Sequence, residues 1–136
     1  MDIKIEFLSH CKYLSIFLSA VVYSWGRGED GQLGLGDTND QNHPVLVDAL
    51  KSTGVVQVAC GSGHTVVLSV DGEVYTWGRG DDGRLGHGDN GWKYVPRLVE
   101  GLRGKRIVQV GHATASVSLN FFLPIRSCEK KWGTLE

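Results

Sequence analysis

Short apolar, β-branched runs alternate along the chain with turn-forming residues. Thr65 to Val70 (TVVLSV) is one such run, Asp71-Gly72 follows it, and Glu73 to Trp77 resumes as an extended segment. An Asp-Gly pair tolerates the positive φ values of a type I′ turn, so this stretch predicts a β-hairpin. Val95 to Val99, around Pro96, and Arg106 to Val110 supply further strands. The proline belongs at an edge or at a strand start, where no ladder donor is needed.

The pattern repeats. Val22 to Asp37 reads VYSWGRGEDGQLGLGD and Val74 to Asp89 reads VYTWGRGDDGRLGHGD, so that 12 of 16 positions are identical at a constant offset of 52 residues. The same offset relates Pro44 to Pro96, Leu46-Val47 to Leu98-Val99, Leu50 to Leu102 and Val56-Gln57-Val58 to Val108-Gln109-Val110. A self-similar period of about 50 residues is the signature of propellers, solenoids and arrays. Each unit is expected to form an antiparallel sheet of about four strands. The units run over residues 21–72 and 73–117, between a divergent segment at 1–20 and a non-repeat tail at 118–136.

The motif V-Y-x-W-G-x-G-x-x-G-x-L-G-x-G-D, together with CGSGHTVVLSVDGEVYTWG from Cys60 to Gly78, resembles the repeat of the regulator of chromosome condensation family. The wording is most similar to plant members related to the UV-B receptor, and the likeness covers Val21 to Val110. It implies an all-β fold of β-propeller blades, seven in full-length members, of which this chain would hold about two: an incomplete propeller. It also implies residence in the nucleus, the cytoplasm or both.

Composition agrees with repeated tight turns. The 19 glycines among 136 residues are about twice the usual ~7%. Gly26, Gly31, Gly34, Gly36, Gly78, Gly83, Gly86 and Gly88 are expected to be architectural, as are Trp25 and Trp77, with rings packed against the next blade, and His64, as a buried anchor. Two units cannot close a ring, because a blade buries its faces only against neighbours. The chain is therefore expected to be a fragment of a longer propeller, or to self-associate through open blade edges.

At the chain's start, Leu14, Ile16 and Leu18 fall at the repeat offset from Val66, Leu68 and Val70, so that residues 1–20 could supply a poor strand. A secretory signal around Lys12 to Val22 is weakened by Asp2 and Glu6. Its ten or so apolar residues fall short of the roughly 20 that a bilayer requires. At the other end, matching His112 to His64 implies loss of the counterpart of Ala59-Cys60-Gly61-Ser62, and after Val117 the repeat pattern stops. Lys130-Lys131 is too short to be a targeting signal.

Several motifs lose their sharper meaning in context. Both Gly26 to Gly31 and Gly78 to Gly83 spell G-x-G-x-x-G, but more glycine follows where a phosphate site needs a helix, and acidic residues stand in the anion's path. Arg79-Gly80-Asp81 is an incidental tripeptide at a repeat position. Cys11, Cys60 and Cys128 form no C-x-x-C pair, so neither zinc nor a disulfide framework is signalled, and no metal or cofactor is expected. With 14 basic against 15 acidic residues, net charge argues against nucleic acid and against an anionic membrane.

What remains is a binding module whose variable loops carry recognition through Arg27, Glu29, Asp30, Arg79, Asp81, Asp82, Arg84, His87, Trp92 and Lys93. No nucleophile, base and orienting group recur together, so ordinary catalysis is not expected. The resemblance supplies two alternatives. One is guanine-nucleotide exchange on a small GTPase, which the founding member performs with a loop wedge that this chain lacks. The other is UV-B perception, for which the receptor's G-W-R-H-T motif is replaced by Gly61-Ser62-Gly63-His64-Thr65.

Overall fold

The computed structural model describes residues 2–8, 19–112 and 117–122. Nine strands account for most of them: β1 (Asp2–Leu8), β2 (Ser19–Gly26), β3 (Gln41–Leu46), β4 (Val55–Cys60), β5 (His64–Ser69), β6 (Val74–Gly78), β7 (Lys93–Leu98), β8 (Arg106–His112) and β9 (Val117–Phe122). All pairing is antiparallel between sequential neighbours, giving three sheets: β1-β2-β3, β4-β5-β6-β7 and β8-β9. The all-β fold with four-stranded propeller-type sheets is therefore observed, once complete and twice in part. Among the described residues no helix is long and apolar enough to cross a membrane.

The sequence unit and the sheet are out of phase, which corrects the expectation that each unit folds into its own sheet. The complete sheet takes β4 and β5 from the first unit and β6 and β7 from the second, and the Asp71-Gly72 turn that joins the units lies at its centre. A sheet interior is the last place where a boundary can act as a linker. Each unit is thereby bonded into two neighbouring sheets.

Register repeats as faithfully as sequence. Tyr23 pairs with Leu46, Ser24 with Val45 and Gly26 with Gln41, and 52 residues later Tyr75 pairs with Leu98, Thr76 with Arg97 and Gly78 with Lys93. Val58 opposite Val67 and Ala59 opposite Val66 likewise reappear as Val110 opposite Leu119 and Gly111 opposite Ser118. The last equivalence overturns two readings. No residues are lost after Val110, since His112 stands where Cys60 does rather than where His64 does. The repeat also continues through Phe122, so a tail beginning at 118 starts too early. Side-chain likeness misled here because a strand pairs through its backbone, which tolerates the change from TVVLS to VSLNF.

The chain's start also differs from expectation. Val22 pairs with Ile5, whereas Val74 pairs with Leu68, so the segment beside β2 is Asp2–Leu8. Leu14, Ile16 and Leu18 lie outside the described residues. Asp2 to Leu8 (DIKIEFL) alternates apolar with charged residues over its first six positions, a period-two pattern that favours a strand.

Two equivalent apolar clusters hold the sheets face to face. Val22, Val47, Leu50 and Val55, with Val67 and Trp77, lie between the first and second sheets. Val74, Val99, Leu102 and Ile107, with Val66, Leu68 and Val110, lie between the second and third. Strand β5 serves both, because successive side chains point to opposite faces. Burying each such side chain contributes about 1.5–3 kcal/mol.

Backbone and polar groups complete the junctions. A bulge in β4 between Val55 and Gln57 leaves Val56 47% exposed, and the equivalent irregularity between Ile107 and Gln109 leaves Val108 at the same value. Past the bulge Gln57 reaches the next sheet, where its Nε2 donates to the Val110 carbonyl (2.8 Å) and its Oε1 accepts from the Val110 N–H (3.0 Å). Within each sheet a strand hydroxyl ties down the following loop: Ser24 Oγ donates to the Leu33 carbonyl (2.7 Å) and Thr76 Oγ1 to that of Leu85 (2.6 Å). His87 Nε2 then lies 2.9 Å from Thr76 Oγ1. Since the hydroxyl proton goes to Leu85, the imidazole is the donor.

Two predictions follow from these contacts. Replacing Gln57 by Ala removes both bonds and leaves the Val110 peptide without them, so urea denaturation is expected to show a loss of about 1–3 kcal/mol; an unchanged midpoint contradicts the role given to the side chain. His87 is held below the ordinary histidine range, first by burial and then by Arg97 and Lys93, against an opposing Thr76 backbone contact. A base with a lowered folded pKa makes the unfolded chain take up the proton first, so its penalty grows as pH falls below about 6.5. His87→Leu, which installs the residue of the equivalent Leu35, is expected to lose less melting temperature than the wild type between neutral pH and about pH 5. Parallel curves contradict this.

Candidate functional site

The loops at 27–40 and 79–92 join β2 to β3 and β6 to β7, the last two strands of their sheets. Both owe their shape to glycine. Gly26, Gly31, Gly34 and Gly36 have φ of 99, 73, 73 and 94°, and the equivalent Gly78, Gly83, Gly86 and Gly88 have 101, 67, 74 and 79°. At Gly34 the missing side chain matters as much as the angle: a Cβ there would lie 2.6 Å from Trp77 Nε1. Gly83 is different, with no atom nearer than Asn90 Oδ1 at 3.9 Å, so a side chain there meets conformational cost alone.

The space at Gly34 belongs to Trp77. This side chain is fully buried, and its Nε1 donates to the Gln32 carbonyl (2.8 Å), which also accepts from Thr65 Oγ1 (2.8 Å). The middle sheet therefore grips the loop of the preceding sheet, the opposite direction from packing onto the next blade. Tyr94 adds a second grip, packing on Gly31 and accepting from the Gly36 N–H through its carbonyl (2.9 Å). His64 is fully buried and fills the space over Gly61. Trp25, the counterpart of Trp77, is only partly buried.

Of the ten loop residues singled out from sequence, three form one exposed cluster. The Asp81 carboxylate accepts from Arg79 Nε (2.5 Å) and from Trp92 Nε1 (2.9 Å), while the Arg79 guanidinium stands 5.8 Å from the Trp92 ring centroid. The Trp92 indole, then Arg79, hold the Asp81 carboxyl below the usual carboxylate range. Asp30, from the neighbouring loop, lies against Gly63 and adds its charge near Arg79. Trp92, Tyr94 and Val95 are exposed large apolar side chains, 38%, 42% and 49% accessible.

Of the other seven, Asp30 lies beside the cluster and Arg84 bonds to the backbone of Asp81, while the rest stand apart. Arg27 pairs with Glu29, and Arg84 donates to the Asp81 carbonyl (2.8 Å) and pairs with Asp82 (3.3 Å). Lys93 pairs with Asp89 (3.0 Å), which lowers the Asp89 pKa along with the Gly91 N–H. His87 lies beneath, on Thr76. Sequence reasoning missed Asp89 and Tyr94. The i,i+4 spacing of Asp89 and Lys93 was a usable signal, and Tyr94 marks a departure from its repeat counterpart, Asn42.

The arrangement sets an exposed aromatic ring among paired charges. An Arg stacked on a Trp beside exposed Tyr is the composition of an interface centre. Among the described residues no group of three or more His, Cys, Asp or Glu is placed to hold a metal ion. Cys60 is a free, half-buried thiol whose pKa burial raises.

Comparison with known proteins agrees with this architecture. The model of the regulator of chromosome condensation (RCC1) repeat matches residues 20–68 and 71–113. The ultraviolet-B receptor UVR8 of Arabidopsis thaliana is 50% identical over 91 residues, 66% of this chain and 21% of the receptor. The E3 ubiquitin-protein ligase HERC2 of Homo sapiens is 47% identical over 89 residues, 65% of this chain and 2% of the ligase. The chain thus matches about a fifth or less of either relative's length. The crystal structure of human WBSCR16 superposes with a TM-score of 0.68 at 27% identity, covering 74% of this chain and 26% of that one. Matching repeats at the sequence level and staggered four-stranded sheets at the structural level place this chain in the regulator of chromosome condensation repeat family.

Proposed function

We propose that the chain is a propeller segment that binds a protein partner through its glycine-rich loop face, centred on Arg79, Asp81 and Trp92. The observation that carries this reading is the Arg79–Asp81–Trp92 cluster with the exposed Tyr94 and Val95 beside it. Each aromatic ring offers a large contact at little entropic cost, and the arginine is already oriented by its carboxylate. The module is regulatory or scaffolding in kind, working in the nucleus or cytoplasm, as its family resemblance suggests.

The two finer readings attached to the family fit less well. Guanine-nucleotide exchange on a small GTPase needs a wedge, and the described loops at 27–40 and 79–92 match each other in length without an insertion of that kind. Perception of UV-B needs bulky residues where Ser62 and Gly63 stand, and a Cβ at Gly63 would already lie 2.6 Å from Asp30 Oδ2. The ligase among the relatives is matched over only 2% of its length, so the likeness carries no catalytic role to this chain.

The test pairs wild type with Arg79→Ala/Trp92→Ala. Partners captured by the wild type from plant or animal extract are identified, and the affinity of a purified one is measured. The double variant is expected to bind at least about tenfold more weakly, a loss of about 1.4 kcal/mol, with unchanged circular dichroism. Equal affinity contradicts the assignment. Accelerated release of guanine nucleotide from a small GTPase, or a change of mass under UV-B, favours the corresponding alternative.

A further inference from the structure

We infer that the first and third sheets are the two halves of one four-stranded sheet, and that a second copy of this chain joins them head to tail. In the complete sheet β4 and β5 hold the first and second places, β6 and β7 the third and fourth. Strands β8 and β9 reproduce the register of β4 and β5, and β2 and β3 reproduce that of β6 and β7. Set side by side, β8-β9 of one copy and β2-β3 of another make the same four-stranded unit, with Val22 opposite Asn120 as Val74 is opposite Leu68.

The surface next to this junction is already shaped for its occupant. Gly31 to Gly34 are all buried, covered by Trp77 and Tyr94 of the following sheet. The equivalent Gly83 and Gly86 are exposed and Arg84 is only partly covered, and among the described residues it is Val99 that a Cβ at Gly86 would meet. Trp25, the repeat counterpart of Trp77, is correspondingly only partly buried. In the joined sheet Trp25 of the second copy lies over Gly86 of the first, its Nε1 donating to the Arg84 carbonyl as Trp77 does to Gln32. Gly88 N–H then donates to the Asn42 carbonyl, as Gly36 does to Tyr94. Both are bonds to backbone oxygens, so the exchanges of Gln32 for Arg84 and Tyr94 for Asn42 leave them intact.

The second place in the joined sheet has two claimants, β9 and β1. All six residues of β5, which holds that place in the complete sheet, are buried. Strand β9 (VSLNFF) carries no charge, whereas β1 carries Asp2, Lys4 and Glu6. A place buried on both faces favours the uncharged sequence, because burying a charge costs far more than burying a serine or an asparagine. The junction therefore takes β9 and releases β1. Because the two faces are different surfaces, the contact is heterologous, and it propagates until the rotation closes a ring.

The experiment uses the full chain and two variants in size exclusion with light scattering. Wild type is expected at an integral multiple of the monomer mass, rising with concentration. Trp25→Ala removes the inserted ring and Gly86→Trp fills the space that receives it, and each alone is expected to be monomeric. Mixed, they retain one intact junction, Trp25 of the Gly86→Trp chain on Gly86 of the Trp25→Ala chain, and are expected to give a dimer that grows no further. A monomeric wild type overturns the inference. So do variants that assemble like wild type, or a mixture that stays monomeric although both variants keep wild-type circular dichroism. These outcomes are independent of the Arg79–Trp92 face, whose double variant should assemble as wild type does.

Discussion

The interaction on which the described sheets depend is the insertion of the Trp77 indole over Gly34, with its N–H on the Gln32 carbonyl. A loop of bare glycine backbone is a poor structural element by itself, since it has little apolar surface and many conformations to lose. Clamped by a fully buried ring, with Thr65 on the same carbonyl, it becomes the wall of a neighbouring sheet. The bulk of Trp77 and the absence of a side chain at Gly34 are one feature seen from two sides.

The phase shift between unit and sheet gives that contact its reach. Since the Asp71-Gly72 turn lies inside the complete sheet, separating one unit from the next breaks a β-ladder as well as an apolar interface. The Gln57 clip to Val110 and the equivalent apolar clusters carry the same coupling on to the third sheet. Neighbour-to-neighbour stability of this kind is what repeat architectures share. It also explains why the side chain can vary between Gln32 and Arg84, because the Trp77 bond runs to the backbone carbonyl.

Much of the fold was legible in the residues. The 52-residue offset, the Asp71-Gly72 hairpin and the W-G-x-G-x-x-G-x-L-G loops identify the sheets because turn chemistry and burial are local consequences of glycine, aspartate and β-branched side chains. The phase was not legible, since a repeating string has no marked beginning and only hydrogen bonding decides which strands share a sheet. The β9 pairing was hidden for a related reason: matching His112 to His64 follows side-chain identity, whereas register follows the backbone. For the site, sequence pointed to Arg79, Asp81 and Trp92 but could not say that these three converge while Arg27, Arg84 and Lys93 are occupied by their own carboxylates.

Gly34 and Gly86 provide the most direct test, because they share a repeat position and a φ of 73 and 74° and differ in whether a tryptophan covers them. Replacing either by Ala costs about 1–2 kcal/mol for the left-handed backbone. Gly34→Ala must in addition displace Trp77, and overpacking of that kind adds about 1–3 kcal/mol. The stability of the two variants by urea denaturation, each made in the Trp25→Ala background so that no second copy covers Gly86, is the measurement: the account predicts that Gly34→Ala is the less stable by that difference. Equal losses would mean that the Trp77 insertion is not what joins one sheet to the next.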